Sequence, residues 1–154
     1  MLHTYRLVRL IETHSEELAN RLLEKVQNSS YTRNYPKVPP AELRQRVYEI
    51  YQHLGEWLLG RREADIERRY REIGARRYQQ GVPLSELLWA VVLTKENMWD
   101  FLKDIILESQ EEVYGELEVL ELIGQFFDRA ICSATMGYEQ SLVVDRAREV
   151  ASAD

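Results

Sequence analysis

The chain has 154 residues, 45% hydrophobic and 30% charged, with only seven Gly and four Pro. That balance excludes a disordered or fibrous polypeptide and suits one domain, residues 1–154, able to bury roughly two thirds of the surface its unfolded form exposes. A net charge of −6 argues against a general polyanion-binding face, so nucleic acid is not an expected partner, and a single cysteine, Cys132, excludes an internal disulfide and fits a reducing, cytoplasmic setting.

The opening segment, Tyr5 to about Val26, spaces Leu7, Leu10, Ile11, Leu18, Leu22 and Val26 by threes and fours, which predicts one amphipathic helix. Arg6, Arg9 and Glu12 interrupt its apolar residues, so it lacks the hydrophobic block of a signal peptide. Thr13 and Glu16 have capping-box form, but the apolar phase runs through them and favours a continuous helix. "QNSSYTRNYPKVPP" ends that helix and forms the longest loop. Pro39 and Pro40 suit the first turn of a second helix, whose inward residues are Leu43, Val47, Ile50, Leu54, Trp57 and Leu58, and which Gly60 closes.

A third helix, about Glu63 to Gln80, is rich in arginine, with Asp65, Glu67 and Glu72 each four residues ahead of Arg69, Arg71 and Arg76. Acid before base at that spacing predicts three pairs within the helix. Gly81 supplies a left-handed cap, and Pro83 opens a fourth helix running to about Ser109. "LLWAVVL" in that helix is the longest apolar run; it predicts a central position and is well short of the ~18 residues of a membrane span. After "ESQEEVYGELE" a last helix runs from about Leu117 to Ala147 or beyond. Leu120, Phe127, Ile131, Ala134, Tyr138 and Leu142 form one seam of it and Val119, Ile123, Phe126 and Ala130 another. One seam can pack on the domain's own core while the other, lined with Gly124, Ala130, Ser133, Ala134, Gly137 and Ser141, allows close approach of a second helix, which implies a partner helix. The pattern predicts an all-α domain of five to six helices with a long C-terminal helix, and a homodimer interface at Gly124, Ala130, Ala134, Gly137, Tyr138 and Ser141.

Few residues invite chemistry. His3 and His14 read as solvated, and His53 as a lone helical histidine. No Cys/His spacing and no Glu-x-x-His pair marks a metal site, so neither metal nor cofactor is expected. Cys132 has no neighbouring base and reads as a small hydrophobe, leaving no catalytic constellation and no enzyme. Arg61, Arg62, Arg68 and Arg69 read as a solvated, self-paired face. Asp104, Glu108, Glu111, Glu112, Glu116, Glu118 and Glu121 form an acidic region that could meet the arginine-rich helix of another subunit. Tyr48, Trp57, Trp89, Trp99 and Phe127 are candidates to line an internal cavity.

"LVRLIETHSEELANRLLEKV" and "IGARRYQQGVPLSELLWAVVLTKENMWDFL" resemble, respectively, the opening and the middle signature of the N-terminal domain of RsbR-type stressosome co-antagonists, a non-haem globin fold. In haem-binding globin-coupled sensors a similar middle stretch carries "IG", a histidine three residues after the glycine, and a glycine turn with proline. If Ile73 and Gly74 are that "IG", Arg77 stands where the proximal histidine would be. A guanidinium has no acceptor lone pair for iron. The resemblance therefore implies a globin-like, non-haem, non-enzymatic sensory or regulatory domain of bacterial stress signalling, with stressosome-like partners. It also implies that 143–154 is a linker helix toward an output module. The alternative is a sensor for haem, with His53 as substitute ligand, or for a fatty-acid-like apolar molecule.

Overall fold

The apolar stripe of the first segment is used as its periodicity predicts, but not on one straight helix. The computed structural model describes residues 2–60, 63–109 and 117–153, and the side chains of all these except 2–5, 59, 63, 105–109 and 117–119. Helix α1 (Leu2–Thr13) passes into α2 (Ser15–Asn28) through His14, whose φ of −100° and ψ of 17° leave the helical region. The amide of His14 still reaches the Leu10 carbonyl at 3.1 Å and that of Leu18 the His14 carbonyl at 2.9 Å, so the ladder bends without ending. His14 is half-buried rather than solvated: its Nδ1 lies 2.8 Å from the Leu10 carbonyl oxygen and its ring centroid 5.1 Å from that of Phe101. The second expected helix breaks in the same way, into α3 (Pro40–Gln52) and α4 (Leu54–Gly60), at His53 with φ −109° and ψ 12°.

The two breaks face each other, which is why both occur. The Gly55 amide, freed at the start of α4, donates to the Glu12 carboxylate at 2.8 Å, and the Ser15 hydroxyl donates to Gln52 Oε1 at 2.8 Å. Gly55 is required there because a Cβ would stand 2.8 Å from Val8 Cγ1 and closer still to the Glu12 carboxylate. A hydrogen bond to a charged acceptor contributes ~1.5–3 kcal/mol. Glu12→Ala is therefore expected to lower unfolding free energy by about 1.5 kcal/mol in urea denaturation, and Glu12→Gln, which keeps an acceptor oxygen, by less; equal losses would show that the bond contributes nothing.

The long loop is ordered by two 3-10 turns, Ser30–Thr32 and Tyr35–Lys37. The Thr32 hydroxyl donates to the Val26 carbonyl at the end of α2 at 2.6 Å, and Glu86, 8% exposed, accepts from the Asn34 amide at 2.6 Å and from Asn34 Nδ2 at 2.5 Å. Helix α5 (Glu63–Gln79) closes as predicted on Gly81, at φ +77°. The Gly81 and Val82 amides donate to the Tyr78 and Arg77 carbonyls, each at 3.0 Å, which is the Schellman pattern. Helix α6 (Leu84–Ser109) buries Leu87, Ala90, Val91, Met98, Phe101 and Leu102 and packs against α2 and α7. Its buried Asn97 donates to the Leu18 carbonyl at 3.0 Å and to the Tyr51 hydroxyl at 3.2 Å, while that hydroxyl donates to the Thr94 carbonyl at 3.0 Å. This internal polar link joins α2, α3 and α6.

Helix α7 (Leu117–Ala153) makes its most extensive contact with α5. The two run parallel: Tyr70 meets Phe126 edge to face, Gly74 meets Ala134 and Tyr138, and Tyr78 hydrogen-bonds Asp145. At Gly74 a Cβ would overlap the Ala134 carbonyl oxygen, and at Gly137 it would lie 2.7 Å from both Arg71 Cα and the Arg71 carbonyl carbon. Backbone meets backbone at both places, an approach only glycine permits. All described secondary structure is helical, as the periodicity predicts. Arg61, Arg62, Glu111, Glu112 and Glu116 and the side chains of His3, Glu108, Glu118 and Val119 lie outside what is described.

Candidate functional site

Arg76 and Arg77 sit in the last turn of α5, and helical geometry sends adjacent side chains about 100° apart. Arg76 goes to the surface and Arg77, 3% exposed, goes inward. Both reach Glu42 in the first turn of α3: Arg76 Nε at 3.2 Å and Arg77 Nη1 at 3.3 Å from Glu42 Oε1. Gln80 completes the cluster, accepting from Arg77 Nη1 at 2.8 Å and donating to Glu42 Oε2 at 3.1 Å. Two of the predicted pairs within α5 give way to tertiary partners: Arg76 takes Glu42 rather than Glu72 and Arg69 takes Glu49 of α3. Asp65 pairs within the helix, but with Arg68 three residues on, at 3.2 Å. Hydrogen bonding to Arg76, reinforced by the charges of both arginines, holds the Glu42 carboxyl below its ordinary range against the opposing effect of burial.

Arg77 also borders a cavity of about 50 Å³ between α3, α5, α6 and α7. Its walls are mainly apolar, including Val47, Ile50, Ile73, Leu87, Val91 and Phe127, with Tyr35, Arg46, Tyr70 and Thr94 among the polar members. The Tyr35 ring lies 6.0 Å from the Arg77 guanidinium carbon, and burial pushes its phenol up to about 12 despite that cation. Burial likewise raises Tyr70. Arg69 is lowered chiefly by burial and next by the like charge of Arg46.

Of the aromatic residues expected at a cavity, only Phe127 lines this one. Trp57 stacks on Phe126 with centroids 5.5 Å apart, and Trp89 lies on Tyr31 at the surface with centroids 4.0 Å apart. Tyr48 and Trp99 are partly buried against the core elsewhere. His53 is on the surface at its helix break, 3.6 Å from Glu56, and is not a wall residue. Among the described residues, no group of three or more His, Cys, Asp or Glu is gathered as for a metal ion. Cys132 is exposed, contrary to its reading as a core hydrophobe, and borders a surface groove with Arg71 and Met136.

The small-residue seam of α7 admits a helix closely, and within the chain that helix is α5. Ala130 and Ala134 are fully buried, Gly137 lies on Arg71, and the Tyr138 hydroxyl donates to the Val82 carbonyl at 2.7 Å. Ser141 borders the α5–α7 groove, whereas Gly124 has nothing within 4 Å of where its Cβ would be. Beside the α5 contact, Met136, Val143 and Val150 recur every seven residues and are 44%, 64% and 69% exposed. Gln140 and Ala147, also exposed, fall between them at heptad spacing. Sequence reading missed this seam because its attention to small residues favoured the neighbouring face of the helix.

Among the described residues, no helix is long and apolar enough to cross a membrane. Comparison with curated proteins and with solved structures gives no match. The family model described as the RsbT co-antagonist protein rsbRD N-terminal domain matches residues 13–150. That span takes in the paired helix breaks, the Glu42–Arg77 cluster, the glycine turn and nearly all of α7; the chain belongs to this family.

Proposed function

We propose that the protein is a cytoplasmic, non-enzymatic regulatory domain of stress signalling, with stressosome-type partners of the kind the family description names. In this reading it is a non-haem, globin-like input domain in which Arg77 occupies the position of a haem ligand. The observation that carries the reading is the parallel α5–α7 pair. Arg77, Ile73 and Tyr70 of α5 border the cavity together with Phe127 of α7, and the same α7 runs on beyond α5 to Ala153 with Val143, Val144 and Val150 exposed. A change at the cavity wall thus has a direct helical route to the end of α7, where residues 143–154 would continue toward an output module.

A haem group fits poorly: about 50 Å³ is far below the ~300 Å³ at which ordinary cofactor pockets begin, and the wall contains no imidazole.

The homodimer belongs to this reading, with its contact moved outward from the small-residue seam to Met136, Gln140, Val143, Ala147 and Val150. Antiparallel pairing would set Glu139 of one copy near Arg146 of the other, in the flanking positions of the heptad. Light scattering at tens of micromolar is expected to give a dimer, since a contact of ~8 kcal/mol corresponds to a micromolar Kd. Val143→Glu should give a monomer with an unchanged circular-dichroism spectrum. A wild-type monomer at that concentration would sink this part of the reading.

A further inference from the structure

Arg77 presents an imbalance that its known contacts leave open. Its Nη1 is taken by Glu42 and Gln80 and its guanidinium also hydrogen-bonds the Tyr35 phenol, but its Nε is buried and has no hydrogen-bond acceptor among the described residues. An orphaned charged donor is costly to bury, and this side chain borders a mainly apolar cavity. A second guanidinium, Arg46, borders the same cavity, and its charge acts on Arg69 as an unfavourable neighbour. The Tyr35 phenol, kept protonated by burial, is available there as a neutral donor.

We propose that this cavity binds a small apolar monocarboxylate, its carboxylate held by Arg77 Nε with Arg46 as the second cation and its alkyl end among Val47, Ile50, Val91 and Phe127. Size restricts the class. One water needs ~10–15 Å³ of such space, so about 50 Å³ accommodates roughly three to five non-hydrogen atoms, the size of acetate or propionate. A long acyl chain does not fit. Charge restricts it further: a neutral molecule brings no negative charge to the two guanidiniums, and an inorganic anion leaves the apolar wall uncovered. The site would supply the input to the regulatory reading above, but it is tested by ligand binding, whereas that reading is tested by oligomeric state, so either can fail alone.

The test is titration of the intact protein with sodium propionate, followed by thermal unfolding and by line broadening of carboxyl-labelled propionate in NMR. Propionamide and sodium chloride at matched ionic strength serve as controls. A saturable rise in Tm and broadening with propionate, absent with both controls, is the expected result. Arg46→Gln should raise the Kd about tenfold, the equivalent of one lost charge-assisted contact. Ala90→Leu, which fills the cavity from α6, should abolish the response. No saturable response to propionate, an equal response to propionamide or chloride, or an unchanged Kd in a folded Arg46→Gln protein would overturn the proposal.

Discussion

Gly137→Ala is expected to destabilise the protein by about 3 kcal/mol, the upper end of the usual overpacking cost. By helix propensity alone the same change should stabilise α7 by ~1 kcal/mol. Packing wins because the new methyl would meet backbone rather than a side chain: Arg71 Cα and its carbonyl carbon each lie 2.7 Å from the Cβ position. Backbone cannot rotate away, so α5 and α7 must separate and lose part of their longest shared contact. Gly124→Ala provides the internal control. It lies on the same helix with nothing within 4 Å of the Cβ position, and it should gain about 0.5–1 kcal/mol. Urea unfolding of the two variants checks the contrast, and a similar shift in both would mean that the interhelical approach is looser than described.

Glu42→Ala should cost about 3 kcal/mol, the scale set by leaving a buried charge without its partner. Arg77 would keep Gln80 at 2.8 Å and the neutral Tyr35 phenol but no anion, with 3% exposure to water. Removing the cation instead should be milder. Arg77→Met places an apolar chain of similar length in an apolar surrounding, and Glu42 retains Arg76 at 3.2 Å. Chemical denaturation is expected to rank the losses Glu42→Ala above Arg77→Met; the reverse order would show that Arg77 is held mainly by packing.

The cluster also sets a pH dependence. Because the folded pKa of Glu42 lies below its ordinary 4.5, its contribution is complete above that value and is lost as pH falls through the depressed folded pKa. In the Glu42→Ala protein this acid-dependent component should be absent.

Much of this organisation is legible in the sequence because burial on a helix leaves a periodic trace. Leu7, Ile11, Leu18, Leu22 and Val26 are buried as their spacing predicts, and "QQGVP" ends one helix and starts the next through the Gly81 cap. The small residues of α7 announce a close helix without disclosing which helix, since that partner, α5, is remote in sequence. The charges of α5 mislead for a related reason: Glu42 and Glu49 on α3 offer the arginines tertiary partners that outcompete the local ones. Arg77 is marked by family resemblance alone. A residue-by-residue reading places a guanidinium at the surface, and only the folded arrangement reveals the cluster that keeps it inside.

The bends at His14 and His53 follow from the same distinction between local and remote information. Their cross-connections join residues 43 and 37 positions apart, and closing loops of that length costs chain entropy that no single helical turn can offset. The bend therefore belongs to the assembled N-terminal half and not to either segment. The stretch around His14 keeps the apolar phase of an uninterrupted helix, and its bend is specified by contacts from α3 and α4 rather than by its own residues.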